Sequence, residues 1–264
     1  MSTLILTTID ARGIARVTLN RPDLRNAFNE EMIGQICDTI GQLSSDENVR
    51  IVIITGAGKA FSAGADLNMM QRVANYSSAE NKDDARRLAH MLESIYDCPK
   101  PTIALVNGPA MGGGLGLIAA CDIAICSDDA FFALSEVKVG LIPAVISPFV
   151  VEAIGIRQAR RYFLTAERFS AETAREIGLI HKTCIPENLA GTLEETLETL
   201  LEGAPRAQAK AKALIRTVAY KSVGKQTREE TAALIAEMRA ADEGREGVTA
   251  FLEKRKPNWA RGTS

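Results

Sequence analysis

The chain has 264 residues, 46% of them hydrophobic and 24% charged, which is ordinary for a globular protein with a core large enough for one or two domains. The formal net charge of −2 gives no general attraction to nucleic acid or to an anionic membrane surface. Five cysteines, an odd number with no C-x-x-C pair, and two distant histidines argue for free thiols and against a zinc site.

Met1 to Ile5 lacks a basic stretch followed by a long apolar one, and no charge-free apolar run reaches the length of a membrane span. The expectation is a soluble, cytoplasmic protein. Leu4–Ile9 and Ile14–Leu19 read as strands around the turn Asp10-Ala11-Arg12-Gly13. Met32, Ile33, Ile36, Ile40 and Leu43 recur at helical spacing within 28–43. Val49–Thr55 is a buried-strand run that ends in Gly56-Ala57-Gly58 and leads to Phe61-Ser62-Ala63-Gly64-Ala65-Asp66-Leu67. Residues 69–82 are polar and irregular and read as a surface segment, a candidate lid. A helix is expected over 83–96, stopped by Cys98-Pro99-Lys100-Pro101.

Next comes the stretch around which the chain is organised. A strand-like run, Thr102–Val106, leads to Ala110-Met111-Gly112-Gly113-Gly114-Leu115-Gly116, and an apolar helical run continues to Ala120. Glycines clustered at a strand-to-helix junction let the backbone come close to something. The helix start presents unpaired N–H groups and the positive end of its dipole. Three readings stand: a turn that holds an oxyanion, a structural glycine turn, and the dinucleotide pattern G-x-G-x-x-A at Gly114 to Ala119. Twenty residues after Gly116, Glu136 stands alone in apolar company, where burial would raise its pKa and suit it to proton transfer near neutral pH.

Strands are expected at 123–126 and 131–133, and helices at 147–154 and 157–165 about Gly155. Alternating strands and helices favour an α/β core. From Ala171 the pattern turns almost wholly helical: 171–177, 187–201, 207–220 and 228–255, with Gly244 and Gly247 as candidate breaks. A boundary is placed near residue 200. Between Arg206 and Arg228 lie seven basic residues and no acidic one, either a solvated helix face or a phosphate- or RNA-contacting one.

Several motifs together resemble the crotonase (enoyl-CoA hydratase/isomerase) superfamily across nearly the whole chain. They are Leu19-Asn20-Arg21-Pro22 with Asn26-Ala27, Phe61 to Leu67, Asn107 to Gly114, Ala120-Cys121-Asp122-Ile123-Ala124, Glu136 with Gly140, and Phe251-Leu252-Glu253-Lys254-Arg255. The resemblance implies an α/β, ClpP-like spiral of ββα units over 1–200, followed by a helical trimerisation region over 201–264. The assembly it implies is a homotrimer or a dimer of trimers. It further implies an acyl-CoA substrate whose thioester oxygen is gripped by the N–H groups of Ala65 and Gly113, with Glu136 as the acid/base. Coenzyme A is then part of the substrate; no separate cofactor, metal, nucleic acid or membrane partner is expected. Arg25, Ala63, Asp66 and Leu67 would line the CoA path, and Phe251 and Lys254 would touch its nucleotide end, often across a subunit boundary.

One position departs from the pattern: two-glutamate hydratases carry a glutamate where this chain has Gly116. A single base is the usual arrangement of Δ3,Δ2-enoyl-CoA isomerases. Leu134 to Phe149, Arg161 to Phe169 and Glu253 to Trp259 nevertheless closely resemble bacterial 3-methylglutaconyl-CoA hydratases of leucine breakdown and isohexenylglutaconyl-CoA hydratases, which also have glycine there. Hydration of a branched glutaconyl-type CoA is therefore the favoured expectation. The isomerase and a non-catalytic acyl-CoA- or RNA-binding protein are the alternatives. Arg72, Lys82, Arg86 and Arg87 are candidates to meet a second carboxylate on the substrate.

Overall fold

A computed structural model describes residues 3–260; Met1 and Ser2, on which the reading of the N-terminus partly rests, lie outside them. The chain divides into two compact units, one comprising the chain up to Cys98 with Thr102–Leu193, the other Pro99–Pro101 with the chain from Glu194 onward.

In chain order the first unit contains β1 (Ile5–Ile9), β2 (Ile14–Leu19), α1 (Glu30–Ser45), β3 (Ile51–Gly56), α2 (Leu67–Val73), α3 (Ser78–Tyr96), β4 (Thr102–Val106), β5 (Ala110–Met111), α4 (Gly113–Ala120), β6 (Ile123–Ser127), β7 (Phe131–Ala133), α5 (Ser147–Thr165), β8 (Phe169–Ser170), α6 (Ala171–Glu176) and β9 (Lys182–Cys184). One sheet runs β1-β2-β3-β4-β6-β9 and a smaller one β5-β7-β8. Only β1 is antiparallel in the larger sheet. Central strands covered on both faces read as unbroken apolar runs: β3 begins Ile51-Val52-Ile53-Ile54 and every residue of β4 is buried. This is the mixed α/β architecture that the alternating pattern leads one to expect. Because β3 and β4 are parallel neighbours, the chain leaves both at the same edge of the sheet, so the two glycine-bearing turns that follow them meet there.

Helix α1 buries Met32, Ile33, Ile36, Ile40 and Leu43, the stripe that its sequence spacing indicates. Asn29 caps it by accepting from Met32 N. Helix α5 bends at Gly155 (φ 71°). All five cysteines are free thiols, and among the described residues no helix is long and apolar enough to cross a membrane.

Residues 69–82 correct the sequence reading. They are not an irregular segment but the body of α2, a short break and the first turn of α3. Two local devices outweigh the polar composition. Asp66 caps α2 by accepting from Asn68 N and Met69 N, and Ser77 and Glu80 form a reciprocal capping box at the start of α3. The small strands β5, β8 and β9 are likewise absent from the sequence reading, because two or three residues carry no periodicity.

The second unit holds the end of α7 (Leu189–Glu202), then α8 (Pro205–Val218), α9 (Lys225–Ala240) and α10 (Asp242–Leu252). Gly244 and Gly247 do not break the helix; the break is at Ala241, which is extended (ψ 154°) ahead of the acidic first turn Asp242-Glu243. Glu243 accepts from Arg206 N and Ala207 N at the start of α8, a carboxylate at the positive end of a helix. The basic run meets acidic residues of α9, Lys210 pairing with Glu237 and Lys221 with Glu230.

Asp66 also pairs with Arg21 at 3.0 Å, both side chains being largely shielded from water. Its burial alone would raise the carboxyl pKa, but the Met69 N–H, the Arg21 guanidinium and the Asn68 N–H bring it below the ordinary range. Asp66→Ala would orphan the guanidinium and uncap α2. Losing one partner of a buried pair costs about 3–5 kcal/mol. The expected outcome is a lower urea midpoint with an unchanged slope; an unmoved midpoint would remove the pair from the account of stability.

Candidate active site

The turn after β3 is held on both sides by main-chain bonds. On one side Phe28 N donates to Gly64 O at 2.7 Å, Asp66 N to Phe28 O at 2.8 Å and Ala63 N to Arg25 O at 2.8 Å. On the other, Phe61 N donates to Pro109 O at 3.1 Å and Met111 N to Ser62 O at 2.9 Å. Buried Asn26 ties the base of the turn together: its amide donates to Ala57 O and Ala60 O and its carbonyl oxygen accepts from Arg21 N. The Ser62 hydroxyl donates to Asn26 O and accepts from Gly64 N.

Gly64 sits at φ 82°, and a Cβ there would lie 2.7 Å from Met111 O and 3.2 Å from Gly113 N. The two turns are therefore in direct backbone contact, and only glycine permits it. Gly112 (φ 47°) carries the chain into α4 while its N–H donates to Ala133 O at 3.0 Å. Gly113, the first residue of α4, rests on the Phe28 ring, where a Cβ would come within 3.1 Å of Cε2. Among the described residues, the N–H groups of Ala65 and Gly113 donate to no protein acceptor. Ala65 is exposed and Gly113 half-buried. Two donors in adjoining turns, reachable from solvent, can receive one oxygen that carries or gains negative charge.

Glu136 opens a single 3-10 turn, Glu136–Val139, that ends at Gly140 in the left-handed region. Its carboxyl reaches back over the second turn: a Cβ on Gly112 would lie 3.1 Å from Glu136 Oε1. The other oxygen, Oε2, is buried with no hydrogen-bond partner. Burial pushes the Glu136 carboxyl above the ordinary glutamate range. A carboxyl so placed takes up a proton readily and lacks any protein group to share it with.

Of the residues singled out in the sequence, Ala63, Ala65, Asp66 and Gly113 are joined through this framework, with Arg25 (φ 51°) bonded to Ala63 and Glu136 over Gly112. Leu67 is 77% exposed at the start of α2. The Asp66 carboxylate is fully engaged by Arg21 and the α2 cap. Phe251 and Lys254 belong to the second unit; Phe251 is 83% exposed and Lys254 is left-handed (φ 55°). Three of the four cations considered for a substrate carboxylate are paired: Arg72 with Glu30, Arg86 with Asp83 and Arg87 with Asp84. The sequence reading did not single out Phe28 or Ile146. Ile146 packs into the space over Gly116, where a Cβ would overlap the Ile146 Cγ2 methyl and lie 3.4 Å from Leu92 Cδ1. A long side chain at position 116 has no room, which is the structural counterpart of its glycine.

The enoyl-CoA hydratase/isomerase family model matches residues 10–262. An enoyl-CoA hydratase from Shewanella pealeana superposes with a TM-score of 0.94 at 42% identity, covering 97% of this chain and 96% of the other. The Alternaria alternata enoyl-CoA hydratase AKT6-1 is 34% identical over 92% of this chain and 80% of its own. The trans-2-decenoyl-[acyl-carrier-protein] isomerase of Streptococcus mutans is 31% identical over 97% of each chain. The fold is a crotonase-type α/β fold that sets two open backbone donors beside one carboxyl. The chain belongs to the enoyl-CoA hydratase/isomerase family, the crotonase superfamily.

The raised pKa makes a prediction about stability. The folded state holds the Glu136 proton more tightly than the unfolded chain does, so this group favours folding below the ordinary glutamate pKa and disfavours it as pH rises through the folded value. Glu136→Gln is therefore expected to raise Tm at pH 8, with the gain shrinking toward pH 4. Equal Tm differences at both pH values would contradict the buried, proton-hungry carboxyl.

Proposed function

We propose that this protein is an enoyl-CoA hydratase acting on a branched glutaconyl-type acyl-CoA, with Ala65 and Gly113 as the oxyanion hole and Glu136 as the single acid/base. The observation that carries the chemistry is the partnerless, buried Glu136 oxygen over the glycine turn that ends in an open N–H. In hydration, the oxygen of water bonds to C3 of the conjugated thioester. Glu136 takes the water proton, and the C2=C3 electrons move through the carbonyl to the thioester oxygen as an enolate. That oxygen lies between the two N–H groups, each supplying roughly 2.7–4 kcal/mol. The enolate then collapses, and C2 takes the proton back from Glu136. One carboxyl suffices because the same proton is taken and returned, and its raised proton affinity suits both halves.

Arg25, Ala63, Asp66 and Leu67 line the path of the CoA arm in this reading, Asp66 by its backbone since its carboxylate is committed. Phe251 and Lys254 meet the nucleotide end, in an assembly of three or six chains. The glutaconyl class is supported by the resemblance of Leu134 to Phe149 to hydratases of that class. Of the cations considered for the substrate carboxylate, Lys82 makes no ion pair among the described residues.

A second reading, Δ3,Δ2-enoyl-CoA isomerisation, is favoured by one observation: the space over Gly116 is filled by Ile146, so no second carboxylate comes from that position. Glu136 would then take a proton from C2 and return it to C4. A mass-spectrometric turnover assay with 3-methylglutaconyl-CoA, crotonyl-CoA and a 3-enoyl-CoA separates the two. Gain of one water on the glutaconyl substrate is expected, reduced about 10²- to 10⁴-fold by Glu136→Gln. Bond migration without water uptake moves the protein to the isomerase reading, and no turnover of any of the three leaves a binding protein.

A further inference from the structure

The segment from Glu136 to Ile146 touches the glycine turn at one of its ends and α4 at the other. At one end the Glu136 carboxyl lies over Gly112, and at the other the Ile146 side chain lies over Gly116. Gly112 precedes α4 in a non-helical conformation (φ 47°, ψ −115°) and Gly116 lies inside the helix four residues on, so the two contacts fall just before and just within the helix start. Ile146 is buried, and its carbonyl accepts from Val150 N as α5 begins. Between the two contacts the backbone folds on itself: Leu141 N donates to Glu136 O at 3.0 Å, Ala144 N to Ile142 O at 2.8 Å and Ser147 N to Ala144 O at 3.2 Å. The segment is thus a short bracket with two feet, one polar and one apolar, standing on two positions that lack side chains.

We infer that Ile146 is the positioning residue for Glu136: its side chain, seated in the notch over Gly116, fixes the bracket whose other foot carries the carboxyl over Gly112, and keeps that notch filled with hydrocarbon. This deepens the acid/base role proposed above and rests on it. The notch over Gly116 is filled by hydrocarbon. Leu92 completes it beside Ile146, α4 (Gly113–Ala120) carries no ionisable side chain, Glu152 on α5 is bonded to the Tyr96 hydroxyl, and Lys138 on the 3-10 turn is exposed. Burial, with no charged neighbour, is what raises the Glu136 pKa. Removing the apolar foot therefore acts on the carboxyl in two ways, by loosening the bracket and by admitting water.

The test compares Ile146→Ala, Ile146→Val and Gly116→Ala with wild type, by kinetics across pH and by NMR titration of 13C-labelled glutamate, the Glu136 signal being assigned by its loss in Glu136→Gln. Ile146→Ala is expected to lower kcat by about tenfold to a hundredfold with KM nearly unchanged, since misplacement by about an ångström costs that much. The acidic limb of the profile and the Glu136 titration should both move down toward the ordinary glutamate value. Ile146→Val keeps the Cγ2 methyl over Gly116 and should restore both. Gly116→Ala, which pushes the foot out of its notch, should reproduce the kcat loss, relieved in the double variant with Ile146→Ala. A folded Ile146→Ala protein whose titration does not move overturns the inference. If Ile146→Ala fails to fold, a Gly116→Ala protein with unchanged titration does so instead. The NMR readout does not depend on turnover, so retained activity in Glu136→Gln would defeat the proposed function while the positioning inference stands or falls on its own.

Discussion

Everything at this site depends on a backbone approach that no side chain could survive. The main chain at Gly64 lies against Met111 and Gly113 so closely that one added methyl group would sit 2.7 Å from a carbonyl oxygen. The sheet brings the two turns to the same edge by making β3 and β4 parallel neighbours. The missing side chain then lets them close. With Gly64 pinned by Phe28 N on one side and the second turn pinned by Ser62 O and Ala133 O on the other, the Ala65 and Gly113 N–H groups are left over from two independent bonding schemes. Preorganised donors of this kind cost no reorganisation when charge develops, because the framework fixing them is already complete without them.

Two carboxylates near these turns show how environment divides labour. Asp66 is buried but answered: a guanidinium at 3.0 Å and two helix N–H groups hold it ionised. Its work is to fasten α2 to the first turn. Glu136 is half-buried, and its buried Oε2 lacks any partner. A protein tolerates that cost where the group is needed in both protonation states. The sequence marks Glu136 by its apolar flanks but does not show that Asp66 is committed, because its ion partner is 45 residues away.

Much of the architecture is legible in the sequence because its signals are long and one-sided. The stripe of α1, the apolar runs of β3 and β4, and the stop at Cys98-Pro99-Lys100-Pro101 appear where their patterns put them. What escapes is decided by single side chains or by tertiary contact. Polar residues 69–82 look irregular until Asp66 and the Ser77–Glu80 pair are seen as caps. The second-unit break falls at Ala241 rather than at a glycine, because Gly244 abuts Met238 O and Gly247 lies under the Trp259 ring, close approaches that need glycine inside a helix. At the site, Glu136 and the glycine turn stand out by composition. Phe28 and Ile146 do not, since an apolar residue that fills a notch left by a glycine looks like any other core residue until the notch is seen.

The notch bears on how one family hosts both hydration and double-bond migration. In the scheme proposed above both reactions pass through the same thioester enolate and use the same two N–H donors; they part only at what exchanges a proton with the carboxyl. For migration the partners are two carbons of the substrate, and water near the carboxyl is a competitor. For hydration one water must reach the carboxyl and C3 together. A single carboxyl can serve either, so counting carboxylates does not by itself separate them. Here the space over Gly116 is closed by hydrocarbon, which offers water no polar foothold there. In the proposed hydration, water would be ordered elsewhere, by the substrate and by the one carboxyl. The substrate proposed above, with a second carboxylate of its own, would bring hydrogen-bonding capacity that a glycine at position 116 does not supply. A glycine at position 116 is compatible with the proposed hydration of a polar substrate, and Ile146 fills the space that it leaves.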